Sequence, residues 1–162
     1  MPLFPKKQAL TLFSLFLFLT LILLSYYFSP PAIINNNMNV RVGKARWQVE
    51  IANNEWSRAK GLSGREFLAL DTGLLFIFNW PSRHTFWMRD MKFSLDMIWI
   101  RDGKVIDITK NASPLKLTDF KVYSPVEPAN MVLEVNAGQA DQYGIKTGDE
   151  ALLYQGNTVI IN

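Results

Sequence analysis

Leu95-Asp96-Met97-Ile98-Trp99-Ile100-Arg101-Asp102-Gly103-Lys104-Val105-Ile106-Asp107-Ile108-Thr109-Lys110 is the stretch that decides the fold class. Two runs rich in β-branched and aromatic residues flank Asp102-Gly103, a dipeptide suited to the positive φ angles of a two-residue hairpin turn. Counting back from that turn sets Arg101 against Lys104, Ile98 against Asp107 and Asp96 against Thr109. Alternation then places Asp96, Ile98, Ile100, Val105, Asp107 and Thr109 on one face. Leu95, Met97, Trp99, Ile106 and Ile108 fall on the other, which is the better core face.

The same period of two recurs on both sides of the hairpin. Trp47, Val49 and Ile51 alternate with Arg46, Gln48 and Glu50, and Met131, Leu133 and Val135 alternate with Val132, Glu134 and Asn136. Each pattern predicts a half-buried strand. Gly73 to Phe78 is instead a continuous apolar run, as in a strand covered on both faces. Ala151 to Tyr154 and Thr158 to Ile161, linked by Gly156-Asn157, close the series. Asn53 or Asn54 can cap a brief helix over Glu55 to Lys60 that Gly61 stops, with Trp56 and Ala59 facing inward. Gly138 to Tyr143 can form a second turn of helix ended by Gly144. The sum is about seven or eight short strands with two short helices, a mainly-β pattern fitting a sandwich or barrel.

Ahead of this domain, the apolar run from Ala9 to Leu24, extended through Phe28, supplies about 20 residues, the length of a bilayer-spanning helix. Ser25 to Pro31 offers aromatics and prolines where a signal peptidase wants small residues, so an uncleaved transmembrane signal anchor is expected. Lys6 and Lys7 precede the run and no cation follows until Arg41, which predicts a cytoplasmic N-terminus and an extracytoplasmic domain in a single-pass protein of the plasma (inner) membrane. The expected organisation is residues 1–28 as cytoplasmic tip and anchor, 29–39 as a Pro- and Asn-rich linker, and 40–162 as one β domain.

Composition excludes several classes. With Lys6 and Lys7 set aside, 15 of the 17 basic residues face 14 acidic ones, a net charge of +1. That balance gives a nucleic-acid partner no electrostatic support. No Cys is present, so disulfides, thiolate metal sites and a lipoprotein anchor are excluded. One His cannot build a histidine metal centre, and no EF-hand spacing occurs, so no cofactor is expected, although an all-oxygen cation site stays open. The serines form no nucleophile elbow and the glycines no phosphate-binding loop.

The residues left with chemistry to offer are six. Asp96 and Asp107 share a face of the expected hairpin, two positions out of register, close enough for paired-carboxylate chemistry or for structural hydrogen bonds. Phe86-Trp87-Met88-Arg89 sets an aromatic platform beside a guanidinium, suited to a sugar face or a carboxylate; alternatively Trp87 is core and Arg89 pairs with Asp96 or Glu134. His84 is a lone acid or base, or an ordinary surface histidine. Glu134 interrupts an apolar strand and is either solvent-facing or buried with a cation, for which Arg89 is the candidate.

The order of motifs resembles successive blocks of the DUF192 family, also called UPF0127. Gly61-Leu62, Gly73-Leu74-Leu75-Phe76-Ile77-Phe78, Phe86-Trp87-Met88-Arg89-Asp90 and Leu95-Asp96-Met97-Ile98-Trp99-Ile100 carry the resemblance first. Pro114, Tyr123-Ser124, Leu133-Glu134-Val135-Asn136-Ala137-Gly138 and Gly144-Ile145-Lys146-Thr147-Gly148-Asp149 continue it. Ser63, Asp90-Met91 and Asn136 depart from the family pattern at the fringes of blocks. The resemblance implies a jelly-roll-like β domain, often behind a signal peptide or anchor, with no established activity.

The functional expectation is a non-catalytic envelope module that binds a polar ligand, a glycan or a peptide carboxylate, near Trp87, Arg89 and Asp96. The alternatives are a glycan-cleaving hydrolase using Asp96 with Asp107 or Glu134, and a membrane-proximal factor that binds an envelope protein partner.

Overall fold

The Asp102-Gly103 turn forms with φ of 49° and 72°, and Arg101 pairs with Lys104 as the turn dictates. In the computed structural model, which describes residues 14–21, 37–115 and 121–161, this hairpin sits at one side of a β domain within the compact unit Asn36–Asn162. Ten strands are described: β1 (Met38–Val42), β2 (Ala45–Ala52), β3 (Thr72–Ser82), β4 (Phe86–Trp87), β5 (Leu95–Arg101), β6 (Lys104–Ala112), β7 (Val122–Tyr123), β8 (Ala129–Asn136), β9 (Ala151–Gln155) and β10 (Thr158–Ile161). Two short helices join them, α1 (Glu55–Lys60) and α2 (Gln139–Gln142).

Eight strands form one sheet in the order β10-β9-β1-β2-β3-β8-β5-β6, and β4 pairs with β7 in a separate two-stranded ribbon. Every neighbouring pair is antiparallel except β2 and β3, where Val49 lies beside Gly73 in parallel. A parallel neighbour demands a crossover, and the segment containing α1 provides it. The mainly-β class holds, but the strands number ten rather than seven or eight and the sheet does not close into a barrel. The open sides are β6 and β10, with a single bridge from Lys104 to Glu150 beside β6.

Each face of the sheet packs its own core, which is why all of Leu95 to Ile100 is buried. One cluster joins Val40, Val42 and Trp47 from the first strands to Ile98, Ile100 and Leu133 from the distant ones, so the sheet must curve around it. The other gathers Leu74, Phe76, Met97, Trp99 and Val132 beneath Leu62 and Met88. The second face was expected to be the core; both are. Gly73 marks the tightest passage between strands, since a Cβ there would lie 2.8 Å from the Glu134 carbonyl oxygen.

Register departs from the expected hairpin within a few residues of the turn. Ile106 is bulged, so Trp99 rather than Ile98 faces Asp107, and Met97 rather than Asp96 faces Thr109. A one-residue slip moves side chains to the opposite face. Asp107 and Thr109 therefore join the face of Trp99, whose indole donates to Thr109 at 3.0 Å, while Asp96 remains on the face of Ile98.

The N-terminal anchor is a correction. Of the apolar run, the structure describes a helix over residues 14–21, and residues 9–13 and 22–28 lie outside the described residues. Among the described residues no helix is long and apolar enough to cross a membrane. On the described residues, the expected transmembrane signal anchor, the membrane as partner and the single-pass inner-membrane topology are therefore not supported.

Candidate functional site

The Asn54 side chain accepts from the Ser57 backbone and the Ser57 side chain accepts in return from Asn54, a reciprocal cap that starts α1. Gly61 ends the helix at φ +49°, close enough that a Cβ would touch the Phe76 ring at 3.5 Å. The expected cap and stop are found. Trp56 and Ala59 point to solvent, however, and Arg58 is the residue turned toward the sheet. Its guanidinium donates to the Ile77 carbonyl at 3.0 Å and lies 5.2 Å over the Phe78 ring. A helix this short and this polar buries no apolar stripe, so its long cationic side chain covers the aromatic surface instead.

Beyond α1, Gly64 donates to the Asp90 carbonyl and the Ser63 hydroxyl to the Arg89 carbonyl, tying this wall to the segment after β4. Phe86 of β4 packs edge to face on Phe76 at 4.8 Å and on Trp99 at 5.3 Å. Between α1, the outer end of β3 and β4 opens a cleft of about 270 Å³. Its walls are Phe76, Phe78, Phe86 and Trp87, with Met88 and Met91 deeper, and Arg58 and Lys60 run along the helix side.

Glu134 lines this cleft. Strand alternation turns Leu133 and Val135 into the first core and Glu134 to the other face, between Leu74 of β3 and Met97 of β5. The side chain is 5% exposed. No described residue hydrogen-bonds or ion-pairs its carboxyl, and burial alone pushes it up to about 8, so it is neutral at pH 7. A buried carboxyl with no partner among the described residues is costly to keep.

His84 is the second unpaired group. Its ring stacks on Phe78 with centroids 3.5 Å apart and planes 13° from parallel, and its Nε2 is buried with no hydrogen-bond partner among the described residues. Burial lowers its pKa; a hydrogen bond to the Trp80 backbone opposes the shift and the positive charge of Arg58 adds to it. The imidazole is therefore neutral at pH 7.

Three of the six residues singled out from sequence, Trp87, His84 and Glu134, line the cleft, with Trp87 58% exposed. The other three do not. Arg89 is exposed and forms no ion pair among the described residues, so it is partner to neither Asp96 nor Glu134. Asp96, 1% exposed, accepts from the backbone of Asn111 and of Ala140, each at 2.9 Å, on the opposite face of the sheet. Asp107 accepts from the backbone of Ile108 and of Val126. The bulge at Ile106 has thus separated the expected carboxylate pair. Sequence reasoning missed Arg58, Lys60 and Phe78; the one available signal was that the Gly61 stop ends a helix bearing two cations. Among the described residues no cluster of metal-ligating side chains occurs.

A family model described as DUF192, Uncharacterized ACR, matches residues 38–153. Two crystal structures are similar, each with a TM-score of 0.65 over 70% of this chain. One is a protein of unknown function from Novosphingobium aromaticivorans DSM 12444, 35% identical over 82% of its length. The other, from Sinorhizobium meliloti 1021 and named as a proposed transcription regulator, is 32% identical over 91% of its length. No curated protein matches the chain.

Proposed function

Since the chain belongs to the DUF192 family, and the matched region takes in every residue of the cleft, we propose that the domain is a non-catalytic module that binds a small polar ligand, of glycan or carboxylate type, in that cleft. The observation that carries this reading is the buried Glu134 carboxyl, which lines the cleft with no hydrogen-bond or ion-pair partner among the described residues. A group kept at such cost inside an aromatic-walled concavity is accounted for by a ligand that completes its hydrogen bonds. The Trp87 face supplies a stacking surface and His84 a second unsatisfied polar atom. Catalysis by paired carboxylates is not favoured, because Glu134 is the one carboxylic side chain among the described cleft residues.

Titration of the full-length protein with N-acetylglucosamine, glucuronate and N-acetylated dipeptides tests the reading. Indole emission assigned through a Trp87→Phe variant should respond saturably to at least one of them, and Glu134→Leu should abolish the response. If no probe gives a saturable change, or if Glu134→Leu binds as well as the parent, the cleft is not the site.

A further inference from the structure

The polar groups lining the cleft differ in kind, an acid, an imidazole and two cations, which allows the ligand's chemistry to be read more closely; this step rests on the cleft being the binding site. On the floor, burial raises the Glu134 carboxyl to about 8, so near neutral pH it keeps its proton and presents an O–H donor. Beside Phe78, the buried Nε2 of His84 has no hydrogen-bond partner among the described residues, and on a neutral imidazole it is available as an acceptor. Along the helix wall, Arg58 and Lys60 carry positive charge and neither has an acidic partner among the described residues.

We infer that the cleft takes an N-acylamino acid, the chemistry of a peptide C-terminus. Its acyl carbonyl accepts the Glu134 O–H, its amide N–H donates to His84 Nε2, and its carboxylate faces Arg58 and Lys60. The volume of about 270 Å³ admits one such residue with a small side chain against the Phe76 and Phe86 rings. A cationic ligand would meet the like charges of Arg58 and Lys60. A purely neutral one would leave those charges unused.

The arrangement makes binding depend on pH. Facing Glu134 from the neighbouring strands are Leu74, Phe76 and Met97, and beside it on its own strand is Val132, none of which titrates. The titratable groups that share the cleft are His84 from the segment before β4 and Arg58 and Lys60 from α1. As pH rises, Glu134 ionises, the donor is lost, and a carboxylate ligand meets a second negative charge.

The test is an NMR titration of the full-length protein with three probes of equal size: N-acetylglycine, its neutral amide N-acetylglycinamide, and the cation N-acetylethylenediamine. At pH 6.5 N-acetylglycine should bind at least about tenfold more tightly than either of the others, shifting the His84 and Trp87 ring signals; tenfold is the effect of one modest charge-assisted contact. Its affinity should drop about tenfold or more by pH 9.5 in the parent and stay level in Glu134→Gln, which retains a donor. Arg58→Met should weaken the acid and leave the amide unaffected. A pentapeptide with a free C-terminus that matches or exceeds N-acetylglycine assigns peptide ends as the source; a weaker one assigns free acids. Equal or tighter binding of the amide or the cation at these same signals overturns the acid assignment while the cleft reading stands. If none of the probes moves them, the acid assignment falls, and the glycan titration decides the cleft separately.

Discussion

Oδ2 of Asp96 accepts the backbone N–H of Ala140 at 2.9 Å, a contact spanning 44 positions of sequence that caps α2 from outside the helix. Gly138, at the head of that helix, has no side chain with which to do so. The other oxygen accepts from Asn111, where β6 takes a φ of +52° beside its second bulge. One buried carboxylate thus fixes both a helix start and a strand irregularity.

Asp96→Asn keeps the shape but turns an NH₂ toward one of two backbone donors. The full-length protein should lose about 1–3 kcal/mol of stability, the cost of a charged hydrogen bond left unmade. A melting temperature equal to that of the parent would remove Asp96 from its structural role. The expected sign matches the Arg89-partner reading of the sequence, but the partners are amides.

Glu134 should behave in the opposite way. Glu134→Met, of similar volume and without a group to desolvate, is expected to gain about 0.5–2 kcal/mol, as substitutions at strained functional positions do. Equilibrium denaturation in urea would show it, and a loss of stability would point instead to a structural partner for the carboxyl.

The pH dependence of that gain follows from the direction of the shift. Folding raises the Glu134 pKa from 4.5 to about 8, so the folded state holds a proton that the unfolded state has released. The parent's stability relative to Glu134→Gln is therefore highest below pH 4.5, falls as pH rises through the window to about 8, and is level above it. Parallel unfolding curves for the two proteins across that window would contradict a buried neutral acid.

Gly73→Ala tests the passage between β3 and β8. The added methyl would meet the Glu134 carbonyl at 2.8 Å and the Leu133 side chain at 3.1 Å, and backbone cannot yield as a side-chain tip can. Overpacking of this kind costs about 1–3 kcal/mol. A variant as stable as the parent would show that the two strands separate more easily than their register implies.

Local chemistry made much of this legible. Asp102-Gly103 specified its turn, Asn54 and Gly61 bracketed α1, and the unbroken Leu74-Leu75-Phe76 run marked β3 as an interior strand. The bulge at Ile106 was not legible, because turn chemistry fixes the first pair and nothing in alternating apolar residues reports an inserted one. That single residue relocated Asp107. Glu134 stood out as a charge in an apolar strand, yet its setting depends on which strands flank β8 and on the parallel crossover that lays α1 over them. Arg58 and Lys60 were unremarkable in sequence for the same reason: long-range pairing, not propensity, brings them to the acid.

The place of β1 in the sheet has a consequence for how the chain is made. Val40 pairs with Trp47 on one side and with Leu153 on the other, so its second neighbour is synthesised more than a hundred residues later. The β1–β2 hairpin leaves the ribosome early but keeps a bare apolar edge until Ala151–Gln155 follows. High contact order of this kind slows folding and prolongs exposure to aggregation. Nascent chains arrested with Glu150 as their last emerged residue should therefore remain protease-sensitive and chaperone-bound, and acquire resistance together, β1 included, once the strand at Leu153 has cleared the exit tunnel.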